Sequence, residues 1–457
     1  MKISLFSFLL ALGSAFASHA AEIAVDFTRE TGPVKPVNAV GQPPITSLVN
    51  HDMFHYLKEA GIPYSRLHDT YGEYGSGVYV DIPNIFRDFD ADEEKPENYD
   101  FAFTDILIRN LIANGVEPFY RLGVTIENYP QVRAYRIRPP KDEHKWARIC
   151  EHIVRHYTKG WANGFNCKIT YWEIWNEADI NPDPNMSMMW QGTFAEYCRL
   201  YEITSKHLKK HHPEIKVGGY ASCGFGAVIS QNCHERKKYW LQCNRDFLAC
   251  VRDRKCPLDF FSYHSYDDLD SVMADIDAAE TTLAEFGFAG TETWLNEWLP
   301  QPSHEKLGTA QQAAEIAGMM LAMQNSPLSA ACLYDARCGI RNYSPLFNPF
   351  TFKPHKAYYA FKAFKELRDC GTAVATTVRN AAGLRAVAAK ADSAAALMIA
   401  NPTDTSVPLA LDLGAWRILS CLMTDGTRTH EESEMPKALP PWSFVLVRLG
   451  RLPGKGQ

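Results

Sequence analysis

The sequence predicts a (β/α)8 barrel followed by a small β-sandwich. Three observations carry that prediction. Short apolar segments alternate with helical patterns through residues 35–368, the signature of βα units. Past Leu367 the texture changes to short alternating segments such as LRAVAAK, AAALMIA and SFVLVRL, separated by Asn-Pro, Asp-Gly and Pro-Pro breakers. The alternative, an open doubly wound sheet, would bring a glycine-rich phosphate turn after its first strand, and none is seen.

The chain opens MKISLFSFLLALGSAFASHA. One early lysine, an apolar run from Ile3 to Leu12 and small residues up to Ala20 predict a secretory signal peptide over residues 1–20. The run is too short to span a bilayer, so the expected location is secreted or periplasmic. Next comes EIAVDF, within residues 21–34; it alternates and precedes the barrel, so it is expected to join the β-sandwich.

Eight candidate barrel strands follow. They are PVNAVG near residue 38, then residues 64–69, 117–123, 169–177, 215–222, 259–266, 293–298 and 329–336. Between them, Ile106, Leu107, Leu111 and Ile112 precede a stop at Gly115. Trp146, Ile149, Ile153, Val154 and Tyr157 repeat at helical spacing and end at Gly160. Thr193 with Glu196, and Thr309 with Gln312, form capping-box pairs. The sandwich is assigned to residues 369–450, and the tail RLPGKGQ, 451–457, is expected to be disordered.

Net charge is −6 and no dense basic run appears, which excludes nucleic acid and anionic membrane as expected partners. There are 12 cysteines, and Cys223, Cys233, Cys243, Cys250 and Cys256 crowd one segment. No paired C-x-x-C spacing is present, so no metal site is expected. Export makes bridges within that segment the expected state, with a connectivity that spacing does not give.

Chemistry in such a barrel sits at the C-terminal ends of the strands. Those ends carry Arg66, His68 and Asp69; Arg121; Asn176 and Glu177; His264 and Tyr266; Asn296 and Glu297; Tyr334 and Asp335. Glu177 and Glu297 stand out because each follows Asn and ends an aromatic-rich strand. Splitting a glycosidic bond needs one carboxyl to protonate the departing oxygen and a second on the opposite side of the sugar. Their environments must push the two pKa values apart, and Arg66 is the natural cation for Glu297. Glu173 lies deeper in its strand and, by alternation, should point the same way as Trp175. It reads as an interior charge satisfied by a barrel arginine.

The run YWEIWNEAD and the segment from MWQGTF to VGGYAS resemble the fourth and fifth barrel strands of glycoside hydrolase family 39, a clan A family of β-xylosidases and α-L-iduronidases. YSRLHD, YDFAFTDILIRNLIANGVEPFYRLG, FFSYHSY and TWLNEW extend the resemblance in order through most of the barrel. It implies retaining hydrolysis without a cofactor, with Glu177 as acid/base and Glu297 as nucleophile. Asn176 would contact the sugar 2-hydroxyl, His68 and His264 would line the sugar subsite with Trp298, and Tyr266 would donate to the nucleophile. The family usually reads Asn-Glu-Pro-Asn where this chain has Asn176-Glu177-Ala178-Asp179, and Thr-Glu-Trp where it has Asn296-Glu297-Trp298.

The expected function is a secreted, exo-acting, β-xylosidase-like glycosidase whose partner is an oligosaccharide or glycoside. Two rivals stand beside it. A uronidase would use Arg337 and Arg341, after the eighth strand, to clamp a carboxylate. A non-catalytic carbohydrate-binding barrel is the other, against which both retained glutamates argue.

Overall fold

The computed structural model describes residues 20–46, 50, 52–68, 70, 80–126, 137–226, 235–380 and 383–451. The expected leader up to residue 19, Asp69, Cys233 and the tail beyond Arg451 lie outside the described residues.

The chain enters through β1 (Ala21–Pro33) and then builds a closed parallel barrel. Its staves, in order, are β2 (Ala39–Gly41), β3 (Tyr64–Leu67), β4 (Glu117–Leu122), β5 (Tyr171–Ile174), β6 (Lys216–Ser222), β7 (Phe260–Ser265), β8 (Glu292–Trp298) and β9 (Ala330–Leu333). Helices fill the crossovers: α1 (Phe54–Glu59), α2 (Ile82–Ile85) and α3 (Ala102–Ala113) come before β4, and α4 (Glu143–Lys159) before β5. Then follow α5 (Phe194–His211), α6 (Glu235–Asp253), α7 (Leu269–Glu285), α8 (Ala310–Gln324) and, after β9, α9 (Lys356–Cys370).

Local chemistry explains these elements. The predicted apolar face of α4 is buried throughout, and Gly160 closes the helix in the left-handed region at φ 75°. Thr193 and Glu196 make a full reciprocal capping box on α5. On α8 the Thr309 hydroxyl caps Gln312 N, but the Gln312 side chain reaches back to Gly308 N instead of Thr309. In α3 the buried stripe is Thr104, Leu107, Ile108 and Leu111, and Ile112 faces outward.

The barrel interior fills in layers, because inward residues alternate along each stave. The bottom layer is aromatic and apolar: Tyr64, Phe119, Tyr171, Phe260 and Trp294, with Ala39, Ala330 and Cys332. Gly218 completes it, because a Cβ there would stand 2.2 Å from the Phe260 carbonyl oxygen. One step up the same staves come Arg66, Arg121, Glu173, Ser262 and Asn296, all buried. Above these lies the pocket.

The second domain, expected as a sandwich, is one curled sheet of nine strands. It comprises β10 (Thr372–Arg379), β11 (Arg385–Lys390), β12 (Ala394–Asn401), β13 (Val407–Asp412), β14 (Trp416–Thr424), β15 (Glu431–Ser433), β16 (Ala438–Leu439), β17 (Ser443–Arg451) and β1. β1 lies between β10 and β13, antiparallel to the first and parallel to the second. Alternation divides the sheet's two faces. Leu397, Ile399, Val445 and Val447 enclose the domain's own core, whereas Ala396, Met398, Ala400, Phe444 and Leu446 join the barrel core. Both faces are therefore apolar. The sheet curls over the first face, and the barrel covers the second. Arg451, assigned above to the tail, ends β17.

The disulfide expectation is corrected for the described cysteines. Cys223, Cys243, Cys250 and Cys256 are all free thiols. Cys243 and Cys250 share α6, where seven residues span about 10 Å of axis, beyond the reach of a bridge. Cys223 sits at the end of β6, where its backbone N–H donates to Asp179.

Candidate active site

Arg66 organises the floor of the site. It is buried, and its Nε donates to Glu173 Oε2 at 2.8 Å, Nη1 to Glu297 Oε1 at 2.7 Å and Nη2 to Asn176 Oδ1 at 2.6 Å. Glu173 Oε1 also accepts from Ser262 Oγ at 2.6 Å and Asn296 Nδ2 at 2.5 Å. A charge this deep survives only when its lone pairs are taken up, and here they are. Glu173 is the interior charge the sequence predicted.

The route to Glu177 departs from simple alternation. β5 ends at Ile174, and Trp175 takes φ 76°. That turn sends the Trp175 ring outward against Trp146 of α4 and Trp190, so it does not share a direction with Glu173. Asn176 faces inward instead and meets Arg66. Glu177 itself has φ 43°, with its N–H on the Ala221 carbonyl at 3.0 Å. Positive φ at a non-glycine residue is costly, and here two such residues aim one carboxylate.

Glu297 arrives by a different irregularity. Between β7 and β8 the register slips, pairing Tyr263 with Leu295 and then His264 with Glu297. The extra residue lets Asn296 and Glu297 both face inward. Glu297 Oε2 accepts from Tyr266 Oη at 2.5 Å. Burial pushes its carboxyl above the ordinary range, while His264, Arg66 and the Tyr266 hydroxyl pull it back. His264 Nδ1 stands 2.8 Å from Glu177 Oε1 and 3.5 Å from Glu297 Oε2. Burial lowers the imidazole to about 4, so it is neutral near pH 7. Glu177, His264 and Glu297 each present an atom within 4.8 Å of the other two.

Glu177 and Glu297 line one pocket of about 190 Å³ together with His68, Tyr266, Tyr334, Arg337, Arg341 and Tyr343. Tyr343 stacks edgewise on Tyr266 and Tyr334 at 5.3 and 5.7 Å, forming an aromatic wall. Sequence reasoning missed Tyr343, Ile126 and Met189. They sit on loops, where no periodicity marks a residue as inward.

Several predicted rim residues serve elsewhere. Arg121 is buried against Asp81 at 2.8 Å, below the pocket. Asn296 braces Glu173, and Asp335 holds Arg337 through Nε at 2.8 Å. Trp298 is fully buried in the barrel core and does not line the pocket, because it points away on the alternate face of β8 from Asn296. Among the described residues, Glu177, His264 and Glu297 alone have the spacing of a metal-ligand set. The guanidinium 2.7 Å from Glu297 already supplies the cation that such a cluster would attract.

Residues 25–290 match the sequence profile of "Glycosyl hydrolases family 39". A beta-xylosidase of Geobacillus stearothermophilus is 28% identical over 199 residues, 42% of this chain and 35% of that protein. One from Caldicellulosiruptor saccharolyticus is 26% identical over 257 residues, covering 54% and 46%. The matches thus span less than half the length of these curated relatives. In three dimensions, a glucosidase from Croceicoccus marinus superposes with a TM-score of 0.73 at 18% identity, covering 95% of this chain and 100% of that one. The profile takes in the barrel from its approach through β7, including Arg66, the Asn176-Glu177 pair and His264. The chain belongs to glycosyl hydrolase family 39.

Proposed function

We propose that this protein is an exo-acting, retaining glycoside hydrolase of β-xylosidase type, with Glu177 as acid/base and Glu297 as nucleophile. The observation that carries the reading is the pair itself: two carboxylates with oxygens within 4.8 Å, facing one small pocket. Retaining enzymes hold their carboxyls about 5–5.5 Å apart, and inverting ones leave room for water between them. The names of the curated relatives favour xylose as the sugar. A pocket smaller than the ~300–1,000 Å³ of ordinary ligand sites suits a terminal residue better than a mid-chain one.

In the first step a Glu297 oxygen bonds to the anomeric carbon as the glycosidic C–O bond breaks, and Glu177 gives its proton to the departing oxygen. The neutral His264 Nδ1 accepts a hydrogen bond from Glu177 while that proton waits. In the second step Glu177 takes a proton from water, the water oxygen bonds to the anomeric carbon, and the ester to Glu297 breaks. Arg66 and Tyr266 keep Glu297 ionised between turnovers, and Asn176, fixed by Arg66, is assigned to the sugar 2-hydroxyl.

Azide separates the two roles. Glu177→Ala should still form the glycosyl-enzyme from a dinitrophenyl glycoside, which leaves without protonation, giving a burst and then a slow steady rate. Azide should restore turnover and yield a product of retained configuration. Glu297→Ala should lose several orders of magnitude on every substrate, and azide should yield the inverted product. Opposite stereochemistry in the two variants would reverse the assignment. No effect from either would move the site elsewhere.

One observation favours a second reading, a uronidase: Arg337 and Arg341 both line the pocket. An aryl-glycoside panel of xyloside, arabinoside and uronide decides between them, and a barrel that only binds sugar would release nothing. Export is part of the proposal, resting on the leader-like first 20 residues. N-terminal sequencing of the exported protein should begin at Ala21.

A further inference from the structure

Two residues past Glu177 stands Asp179, fully buried, where the resemblance led to asparagine. Its Oδ1 accepts from Cys223 N at 3.2 Å, and its Oδ2 lies 3.0 Å from both Ser222 Oγ and Tyr220 Oη. The Tyr220 hydroxyl is also 2.8 Å from Asn244 Oδ1. Asn244 Nδ2 donates to the Gly224 carbonyl at 3.1 Å, which fixes the amide with Oδ1 toward Tyr220. A phenol has one proton, and here two oxygens claim it. The shorter contact belongs to Asn244. The Tyr220 oxygen is then left to accept, and Asp179 must supply the proton.

The surroundings agree with a neutral acid. The titratable groups facing Asp179 are Glu177, Tyr220 and Cys223, with Cys243 and Tyr239 from α6 and Tyr197 from α5. Burial pushes every one of those thiols and phenols upward, so none is charged near neutrality. Among the described residues no cation pairs with Asp179.

We propose that Asp179 is a neutral carboxylic acid in the working enzyme and a positioning residue for Glu177, holding Tyr220, Ser222 and Cys223 on either side of the Ala221 carbonyl that receives the Glu177 N–H. The proposal rests on Glu177 being the proton donor. Burial, and next the Glu177 charge, raise Asp179 to about 7. When pH rises past that value, Asp179 ionises and can no longer donate to Tyr220.

Asp179→Asn tests this. The amide can still donate to Tyr220 and accept from Cys223 N, but it cannot ionise. The amide is as neutral as the acid it replaces, so both limbs of kcat/KM should stay within a few tenths of a pH unit of wild type. An alkaline limb that moves down by about one unit means that Asp179 is charged while Glu177 titrates, and overturns the proposal. Infrared spectroscopy gives a readout independent of activity. Wild-type protein minus Asp179→Asn should show a buried carboxylic-acid C=O band near pH 6 that fades by about pH 8. Absence of the band near pH 6 means a carboxylate, and the proposal fails. A band in a protein that hydrolyses no glycoside supports the neutral acid and sinks the reading of Glu177 instead.

Discussion

Arg66 holds Glu297 and Glu173 at once, so its replacement tests two effects in opposite places. Arg66→Met removes the cation that opposes the upward push of burial on Glu297. The Glu297 pKa should rise, moving the acid limb of kcat/KM to higher pH. An unchanged acid limb would show that another group sets that charge. The same change leaves Glu173 buried and unpaired, a loss of about 3–5 kcal/mol, so Arg66→Met/Glu173→Gln is the variant to titrate. At this scale the sequence was most informative where one residue type had one use. Arg66, Glu177, His264, Tyr266 and Glu297 converge as read. Arg121, Asn296 and Trp298 do not, because the sequence shows that a residue ends a strand but not which layer of the barrel its side chain enters. Asp81, which takes Arg121 out of the site, comes from the start of α2 and carries no mark of its destination.

Helices were legible almost to the residue where a cap announced them. The reciprocal hydrogen bonds of Thr193 and Glu196 make a quantitative case of this on α5. Thr193→Ala should cost about 1 kcal/mol of unfolding free energy, read as a lower urea midpoint at constant slope, with kcat unchanged. Strands were legible in order and direction but not in length. The fourth stave pairs over Tyr171–Ile174, whereas the apolar segment runs on to Glu177. Its last three residues keep the composition of a strand while their backbone has left the ladder, turned by Trp175 and Glu177 at positive φ. Burial of the segment and pairing of the segment are separate facts, and composition reports only the first.

Across the molecule, two families of buried carboxyls set opposite limits on stability. Burial raises Asp179 and Asp275 to about 7, far above their unfolded values. Stability from such groups is full below the unfolded pKa near 4 and is lost as pH rises through about 7, at up to ~1.4 kcal/mol per pH unit for each. Glu151 and Asp425 are held down at about 2, the first chiefly by His212 and Arg155 and the second by Arg428, against the opposing effect of burial. Their contribution is present above pH ~4.5 and lost as pH falls toward about 2. Thermal unfolding scanned across pH should thus peak at about pH 4 to 4.5 and decline from there to about 7, and Asp179→Asn should flatten that decline. A maximum above pH 8 would contradict these assignments. The two-domain layout was legible from the change of texture after Leu367. That the second domain is a single sheet was not, because strands apolar on both faces do not say whether a sheet or a pair of helices covers them.

The Arg66 cluster also fixes a sum of charge. Two carboxylates, Glu173 and Glu297, face one guanidinium beneath the pocket, and the imidazole between the upper pair is neutral. With both ionised, one negative charge is left over, walled from solvent by the aromatic layer below and the staves around it. An uncharged ring resting above it gains little. A ring whose anomeric carbon turns cationic as its bond loosens gains a great deal, and loses it again when the new bond forms. On the proposed reading, the cluster favours a species that exists only in passing, and it does so before any substrate arrives.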